Sequence, residues 1–320
     1  MTHTDSFQCA ERLAVLIPCY NEEQTVTQVI GNFRRVLPGA EIFVYDNNSK
    51  DQTARLAAEA GAIVRVERRQ GKGNVLRRMF SDIEADVYIL VDGDDTYDAA
   101  SAPGMITKLL ADRLDMVVGT RLTTFDETAF RPGHQWGNKI LTGFVSLLFG
   151  RELTDMLSGY RVFSRRFVKS FPALSKGFET ETELTVHALE LRMPVAEVVT
   201  PYGMRPVGSE SKLRTYRDGF RILKTIVDLF KEERPLIFFS LLFALLTLIA
   251  VVLMIPIFIT YVETGLVPRF PTAILSTGIM ILAFLSLACG FILDMVTLGR
   301  RELKRLYYLS IPAPGRERES

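Results

Sequence analysis

The chain has 320 residues, room for about two domains at roughly 150 residues each. Its 38 Lys and Arg stand against 37 Asp and Glu, a net charge of +1, so no strongly basic nucleic-acid-binding surface is expected. Apolar residues make up 48% and charged residues 23%, which excludes a disordered chain, and three scattered cysteines and three scattered histidines offer neither a disulfide framework nor a zinc site.

In chain order, residues 1–10 read as a polar tail, and the apolar stretch Leu13–Pro18 is too short for a signal peptide. Short β-branched runs follow at Leu13–Ile17, Glu41–Tyr45, Ile63–Val66, Val87–Val91 and Met116–Gly119. Helical patterns at Thr25–Val36, Asp51–Ala60, Lys72–Glu84 and Ala102–Ala111 separate them. This alternation predicts a doubly wound, mostly parallel sheet, which binds ligands at the carboxyl ends of its strands. The unusual residues fall there: Pro18-Cys19-Tyr20-Asn21-Glu22, Asp46-Asn47-Asn48-Ser49 and Asp92-Gly93-Asp94-Asp95. Carboxylates of Glu22, Asp46 and Asp92 gathered at one edge, with no nearby Lys or Arg to neutralise them all, call for a cation or a hydrogen-bonding ligand. An acidic cluster with Gly93 between two aspartates suits a hard divalent cation that also holds substrate phosphates. No GxGxxG follows the first strand, and Gly71-Lys72-Gly73-Asn74 lacks the spacing of a phosphate-binding loop; Lys72, beside two glycines, reads as a solvated turn lysine ahead of a phosphate contact. Glu179, Glu181 and Glu183 read as acids of a first helical turn, where they favour the helix dipole, ahead of a catalytic role.

The second half changes character. Lys139–Phe149, preceded by Trp136, and Tyr216–Lys231 carry apolar residues at helical spacing and read either as helices on a membrane surface or as ordinary amphipathic core helices, with the position of Tyr216–Lys231 directly before a span favouring the surface. From Pro235 to Val262 there are 28 residues without a charge, and from Phe270 to Leu293 there are 24. About 20 helical residues cross a bilayer core, so both runs qualify, with Pro256 interrupting or kinking the first. Lys224, Lys231 and Arg234 precede the first span; Arg300, Arg301, Lys304 and Arg305 follow the second. Between the spans only Glu263 and Arg269 are charged, so the positive-inside rule puts both termini in the cytosol. The expected plan is a cytosolic α/β domain over 1–215, a juxtamembrane amphipathic helix over 216–234, a two-helix hairpin over 235–298 and a cytosolic tail over 299–320.

Three motifs in order, Pro18-Cys19-Tyr20-Asn21-Glu22-Glu23, Val44 to Asp51 and Asp92-Gly93-Asp94, resemble glycosyltransferase family 2, whose fold is GT-A. Gly119-Thr120-Arg121, Gly137-Asn138, Asp155, Ser158-Gly159-Tyr160-Arg161 and Ser211-Lys212-Leu213 are similar to its polyprenyl-phosphate branch. That branch holds dolichol-phosphate mannose synthases and bacterial undecaprenyl-phosphate sugar transferases. The resemblance covers residues 12–230 and implies an integral protein of the bacterial inner membrane. It implies that Pro18, Tyr20 and Glu22 hold the nucleotide, with Val44 and Asp46 on the other side. Asp92 and Asp94 would carry Mg²⁺ or Mn²⁺ against the donor diphosphate, with the Gly93 backbone along the ribose. Arg121 and Arg131 would grip the lipid phosphate, and Arg205 and Lys212 would close over the diphosphate. Where some relatives have a further metal-contacting Gln, this chain has Thr96. Arg161 stays open between an ion pair to Asp155 and a phosphate contact.

The implied reaction moves one sugar from a UDP- or GDP-linked donor, a UDP-hexose or UDP-N-acetylhexosamine ahead of GDP-mannose, to polyprenyl phosphate. A phosphate monoester has a second pKa of about 6, so the acceptor is largely a dianion at neutral pH and needs no dedicated base. Direct attack inverts the anomeric carbon. The alternatives are a processive polysaccharide synthase, whose Q-x-x-R-W motif is absent, and a non-catalytic nucleotide-sugar-binding scaffold, which would not need Asp92, Asp94, Arg121 and Lys212. The lipid bilayer is an expected partner, nucleic acid is not, and homo-oligomerisation is left open.

Overall fold

The alternation of β-branched runs and amphipathic helices becomes a seven-stranded sheet in the computed structural model, which describes residues 9–122, 154–173, 180–203 and 227–315 with Gly143 and Lys224. The α/β unit runs β1 (Leu13–Cys19), α1 (Val26–Val36), β2 (Glu41–Asp46), α2 (Thr53–Glu59), β3 (Ile63–Val66), α3 (Lys72–Asp82), β4 (Val87–Leu90), α4 (Ala102–Ala111) and β5 (Met116–Leu122). It continues with β6 (Arg161–Ser164), α5 (Arg165–Ser170), α6 (Thr180–Glu190) and β7 (Val195–Pro201). The sheet order is β3-β2-β1-β4-β6-β5-β7. The pairs β1–β2, β1–β4, β2–β3 and β5–β7 are parallel, and β6 runs antiparallel to both β4 and β5. The carboxyl ends of β1, β2, β4, β5 and β7 therefore share one edge with the start of β6. That edge carries the motifs.

Helices on both faces explain why the central strands are apolar throughout rather than alternating. Val15, Ile17, Val44 and Ile89 pack with Val29, Ile30 and Phe33 of α1 and Met105 and Leu109 of α4. Ala14, Leu16, Tyr45 and Leu90 pack on the other side with Val75, Leu76 and Met79 of α3 and with Phe163 and Phe167. Each such buried aliphatic or aromatic side chain contributes about 1.5–3 kcal/mol, which holds the motif edge rigid. The unit also takes in the chain from Lys304 onward. There Tyr308 Oη donates to Asp115 Oδ2 at 2.7 Å, and Lys304 Nζ lies 2.6 Å from Glu190 Oε2.

His187 of α6 is buried between Phe167 and Phe171; its Nε2 is 3.1 Å from Ser170 Oγ, and its Nδ1 has no partner. Burial, then the Lys304 ammonium, push its pKa down to about 3. The folded protein keeps this ring neutral while the unfolded chain protonates near pH 6.5, so the contribution is complete above about 6.5 and falls as pH drops toward 3. Unfolding free energy should lose about 2 kcal/mol from this group between pH 7 and pH 5. Denaturant titrations at the two pH values check this, and His187→Gln should flatten the difference.

The second unit, Phe220–Leu303, contains α7 (Pro235–Thr264) and most of α8 (Phe270–Leu309). Both are long and apolar enough to cross a bilayer. Pro256 does not end the first helix, which runs on to Thr264 and stops at Gly265 in a left-handed conformation, φ +71°. The second helix extends to Leu309, so residues 299–309, read as tail, are helical. Small residues bring the two helices together: Ser276 Oγ donates to Ala250 O at 2.7 Å, Ser286 Oγ donates to Phe239 O at 3.2 Å, and a Cβ on Gly290 would lie 2.9 Å from Phe239 Cβ. At the foot, Arg301 and Arg300, which the sequence offers as free flanking cations, pair with the buried Glu233 at 2.8 and 3.8 Å. Residues 227–233 are helical; the rest of the two surface-helix readings, Lys139–Phe149 and Tyr216–Lys231, lies outside the described residues except Gly143 and Lys224.

Candidate active site

The β1 and β2 ends are locked together by side chains that bond the neighbouring loop. Asn21, at φ +54°, accepts from Lys50 N through Oδ1 at 2.8 Å, and Glu22 N donates to Thr53 Oγ1 at 2.8 Å. Pro18, Tyr20 and Glu22 are half-buried there, whereas Val44 is fully buried in the core. Asp46 is almost fully buried: its Oδ2 accepts from Ser49 N at 3.2 Å, and its Oδ1 has no partner. A buried carboxylate oxygen left unsatisfied is costly, so a ligand N–H donor fits this position.

Asn47, which belongs to the Asp46-Asn47-Asn48-Ser49 motif but has no role assigned by sequence, builds the adjacent wall. Its Nδ2 donates to Glu67 O and Arg69 O, both at 2.8 Å, and its Oδ1 accepts from Gly71 N at 2.7 Å. Gly71 has φ +125°, a conformation that a side chain would strain, and it delivers Lys72 as the first residue of α3. The reading of Lys72 as a solvated turn lysine is corrected here. Its side chain is 13% exposed, and Nζ lies 2.5 Å from Asp92 Oδ1 and 2.5 Å from Glu181 Oε1. Burial opposes its charge, but Asp92 and Glu181 outweigh it and raise the pKa, so the ammonium persists. The acidic edge thus has an internal cation that sequence reasoning had not paired with Asp92. Glu181 sits in the first turn of α6 as expected, but its side chain is buried in the site, with Oε2 unpartnered; Glu179 lies outside the described residues.

Asp92 and Asp94 follow β4. A Cβ on Gly93 would lie 2.8 Å from Cys19 Sγ, and one on Gly159 would clash with the Asp92 carboxylate, so a side chain at either position would displace Cys19 or Asp92. Thr96 Oγ1 donates to Asp94 Oδ1 at 2.6 Å, so Thr96 orients this carboxylate. Among the described residues no three acids, histidines or cysteines form a complete metal cage. A partly exposed Asp92 and a nearly buried Asp94, completed by substrate phosphates, are the carboxylate donor set that Mg²⁺ and Mn²⁺ accept, so the residue types fit such an ion.

Arg121 ends β5. Its Nε and Nη2 donate to Asp155 Oδ2 and Oδ1 at 2.6 and 2.7 Å, and its guanidinium stands 5.6 Å from the Tyr202 ring centroid. Burial would lower its pKa, but Asp155 more than offsets this and raises it. Asp155 therefore belongs to Arg121, and the ion pair from Arg161 to Asp155 does not form. Arg161 is wholly buried instead, donating to Met156 O at 2.6 Å, Ser158 O at 2.9 Å and Thr185 Oγ1 at 2.9 Å. It is thereby removed from any phosphate and braces the turn that carries Gly159. Tyr97 completes the turn, accepting from Gly159 N at 2.9 Å. Arg131, Arg205 and Lys212 lie outside the described residues. The structure thus brings Glu22, Asp46, Asp92, Asp94 and Arg121 to one strand edge and adds Lys72 and Glu181 to them.

The family model for glycosyl transferase family 2 matches residues 14–171. Glycosyltransferase AglJ of Haloferax volcanii is 34% identical over 231 residues, 72% of this chain and 76% of the relative. A dolichyl-phosphate hexose transferase of the same organism is 30% identical over 222 residues, 69% of this chain and 95% of the relative. Among solved structures, glucosyl-3-phosphoglycerate synthase from Mycobacterium tuberculosis, crystallised with Mn²⁺, UDP and phosphoglyceric acid, superposes with a TM-score of 0.56 at 21% identity. That match covers 69% of this chain and 78% of the synthase, and at this identity it concerns the fold alone.

Proposed function

The chain belongs to glycosyltransferase family 2, and from that premise we propose that it transfers one sugar from a nucleotide-sugar donor to a polyprenyl phosphate, with inversion at the anomeric carbon. It is a transferase with a GT-A-like fold. The observation that carries the reading is that Asp92 and Asp94, after β4, and Arg121, near the end of β5, stand on the same edge of the sheet, in a chain that also has a helical pair long enough to cross a bilayer. The similarity to a dolichyl-phosphate hexose transferase supports the acceptor class.

In this reading Asp46 Oδ1 accepts an N–H of the nucleotide base, and Pro18, Tyr20 and Glu22 line the other side, with Val44 as the buried floor beneath. Asp92 and Asp94 would hold Mg²⁺ or Mn²⁺, which would supply an electrostatic clamp for the leaving diphosphate. The Gly93 backbone follows the ribose. Arg121 presents its remaining N–H groups to the lipid phosphate, where Arg131 joins it, while Arg205 and Lys212 cover the donor diphosphate. A dianionic acceptor attacks without a base, so the work left to the protein is to hold two anions together. The domain limits 1–215, 216–234, 235–298 and 299–320 follow from the same plan, with both termini cytosolic.

The direct test incubates purified protein with undecaprenyl phosphate and a panel of UDP- and GDP-linked sugars. A lipid-linked product is expected from one of them, and transfer to a soluble acceptor alone would sink the proposal. For orientation, a single cysteine at Thr264 should react with an impermeant thiol reagent outside the cell and one at Ser310 should not, in a chain whose Cys9, Cys19 and Cys289 are replaced. Labelling at 310 alone would reverse the topology.

A further inference from the structure

We propose that Lys72 is a built-in counter-ion that competes with the divalent cation for Asp92 and is handed to Glu181 when the cation arrives. The inference rests on the reading of Asp92 and Asp94 as metal ligands. It goes beyond that reading in assigning a buried lysine and glutamate that contribute no metal ligand.

The geometry has three parts. Lys72 Nζ sits 2.5 Å from Asp92 Oδ1 and 2.5 Å from Glu181 Oε1, so one ammonium bridges two carboxylates from different elements. Glu181 is nearly as buried as the core, and its second oxygen, Oε2, has no partner. The backbone at Lys72 is fixed, because Gly71 is tied to Asn47 and α3 begins there. Only the flexible four-carbon stem is free to move.

A dication on the Asp92 carboxylate would stand within a few ångströms of the ammonium, and like charges at that separation repel strongly in a partly desolvated site. The ammonium has somewhere to go. Glu181 already holds it through Oε1 and offers the unused Oε2, so a small rotation of the stem exchanges the Asp92 contact for a second Glu181 contact. Lys72 therefore weakens cation binding to the empty site. Glu181 offsets part of that penalty by receiving the displaced charge. The donor diphosphate adds negative charge beside the cation, so cation and nucleotide bind as a pair.

The two residues consequently act in opposite directions on one measurement. Mn²⁺ binding to detergent-purified full-length protein is followed by electron paramagnetic resonance, without nucleotide. Lys72→Met should tighten Mn²⁺ at least tenfold, since the competitor is gone. Glu181→Gln should weaken it several-fold, since the ammonium then has Asp92 as its one carboxylate. A merely structural role for the pair would weaken binding in both variants or change neither. Asp94→Asn, added to wild type and to Lys72→Met, separates this inference from the reading beneath it. If Asp94→Asn leaves Mn²⁺ affinity unchanged in both, the metal site is elsewhere and the underlying reading fails. If Asp94→Asn abolishes binding but Lys72→Met does not tighten it, the counter-ion proposal is overturned and the metal site stands. Should Lys72→Met fail to fold, Glu181→Gln decides, and unchanged or tighter Mn²⁺ binding by that variant overturns the proposal.

Discussion

Asp94→Asn is expected to lower sugar transfer by about 100- to 1,000-fold while the protein stays folded, the scale seen when one preorganised electrostatic contact to a developing charge is removed. The folding half of this expectation comes from local geometry. Asp94 Oδ1 accepts from Thr96 Oγ1 at 2.6 Å, and an asparagine carbonyl oxygen at the same place accepts it equally well. What changes is charge: a neutral amide oxygen can ligate a hard cation but binds it less strongly than a carboxylate does. Turnover and Mn²⁺ titration on the same sample check both halves, with circular dichroism as the control for fold. Full transfer in excess chelator, or unchanged Mn²⁺ binding by the folded variant, would remove Asp94 from the metal site.

The parts of this molecule that were legible in the sequence are those whose signal is local. The five expected strands and four expected helices of the first 120 residues form within a few residues of their expected limits, because period and punctuation agree there. The acidic turn after β4 is a weak signal by itself and was legible through its position, because Asp92 falls at the same strand edge as Glu22 and Asp46. β6 was missed because Arg161–Ser164 is four residues long and begins with an arginine, and only its position between β4 and β5 makes a strand of it. β7, Val195–Pro201, did carry a β-branched run, and it was passed over for the motifs around it. The partners of charged residues were the least legible. Lys72 finds Glu181 more than a hundred positions away, and Asp155 goes to Arg121 rather than to its nearer neighbour Arg161. Such pairings follow from sheet order, and sheet order places β6 between strands far from it in sequence. One signal was available: Lys72 lies between two glycines, a setting that brings backbone and side chain close to neighbours.

Arg121→Ala should have two separable consequences. The first is structural. Arg121 and Asp155 form a two-bond pair with side chains 13% and 12% exposed, and removing one partner leaves a buried charge that costs about 3–5 kcal/mol. The melting temperature of the single variant should therefore fall markedly, and lost activity alone would not assign the arginine to the acceptor. Arg121→Ala with Asp155→Ala removes both charges and should recover much of the stability. The second consequence is chemical and should survive that repair. If Arg121 also contacts the lipid phosphate, one charge-assisted contact is worth about 1.5–3 kcal/mol, so the double variant should remain about 10- to 150-fold slower in lipid-dependent transfer. Donor affinity by calorimetry should stay near that of the parent, because in this reading the nucleotide is held from the β1, β2 and β4 ends. Asp155→Ala alone supplies the remaining corner of the cycle: it frees the guanidinium, and it should retain more transfer than the double variant at comparable stability. A double variant that regains both stability and full lipid-dependent turnover would make Arg121 a brace for the Asp155 turn and would move the acceptor phosphate elsewhere.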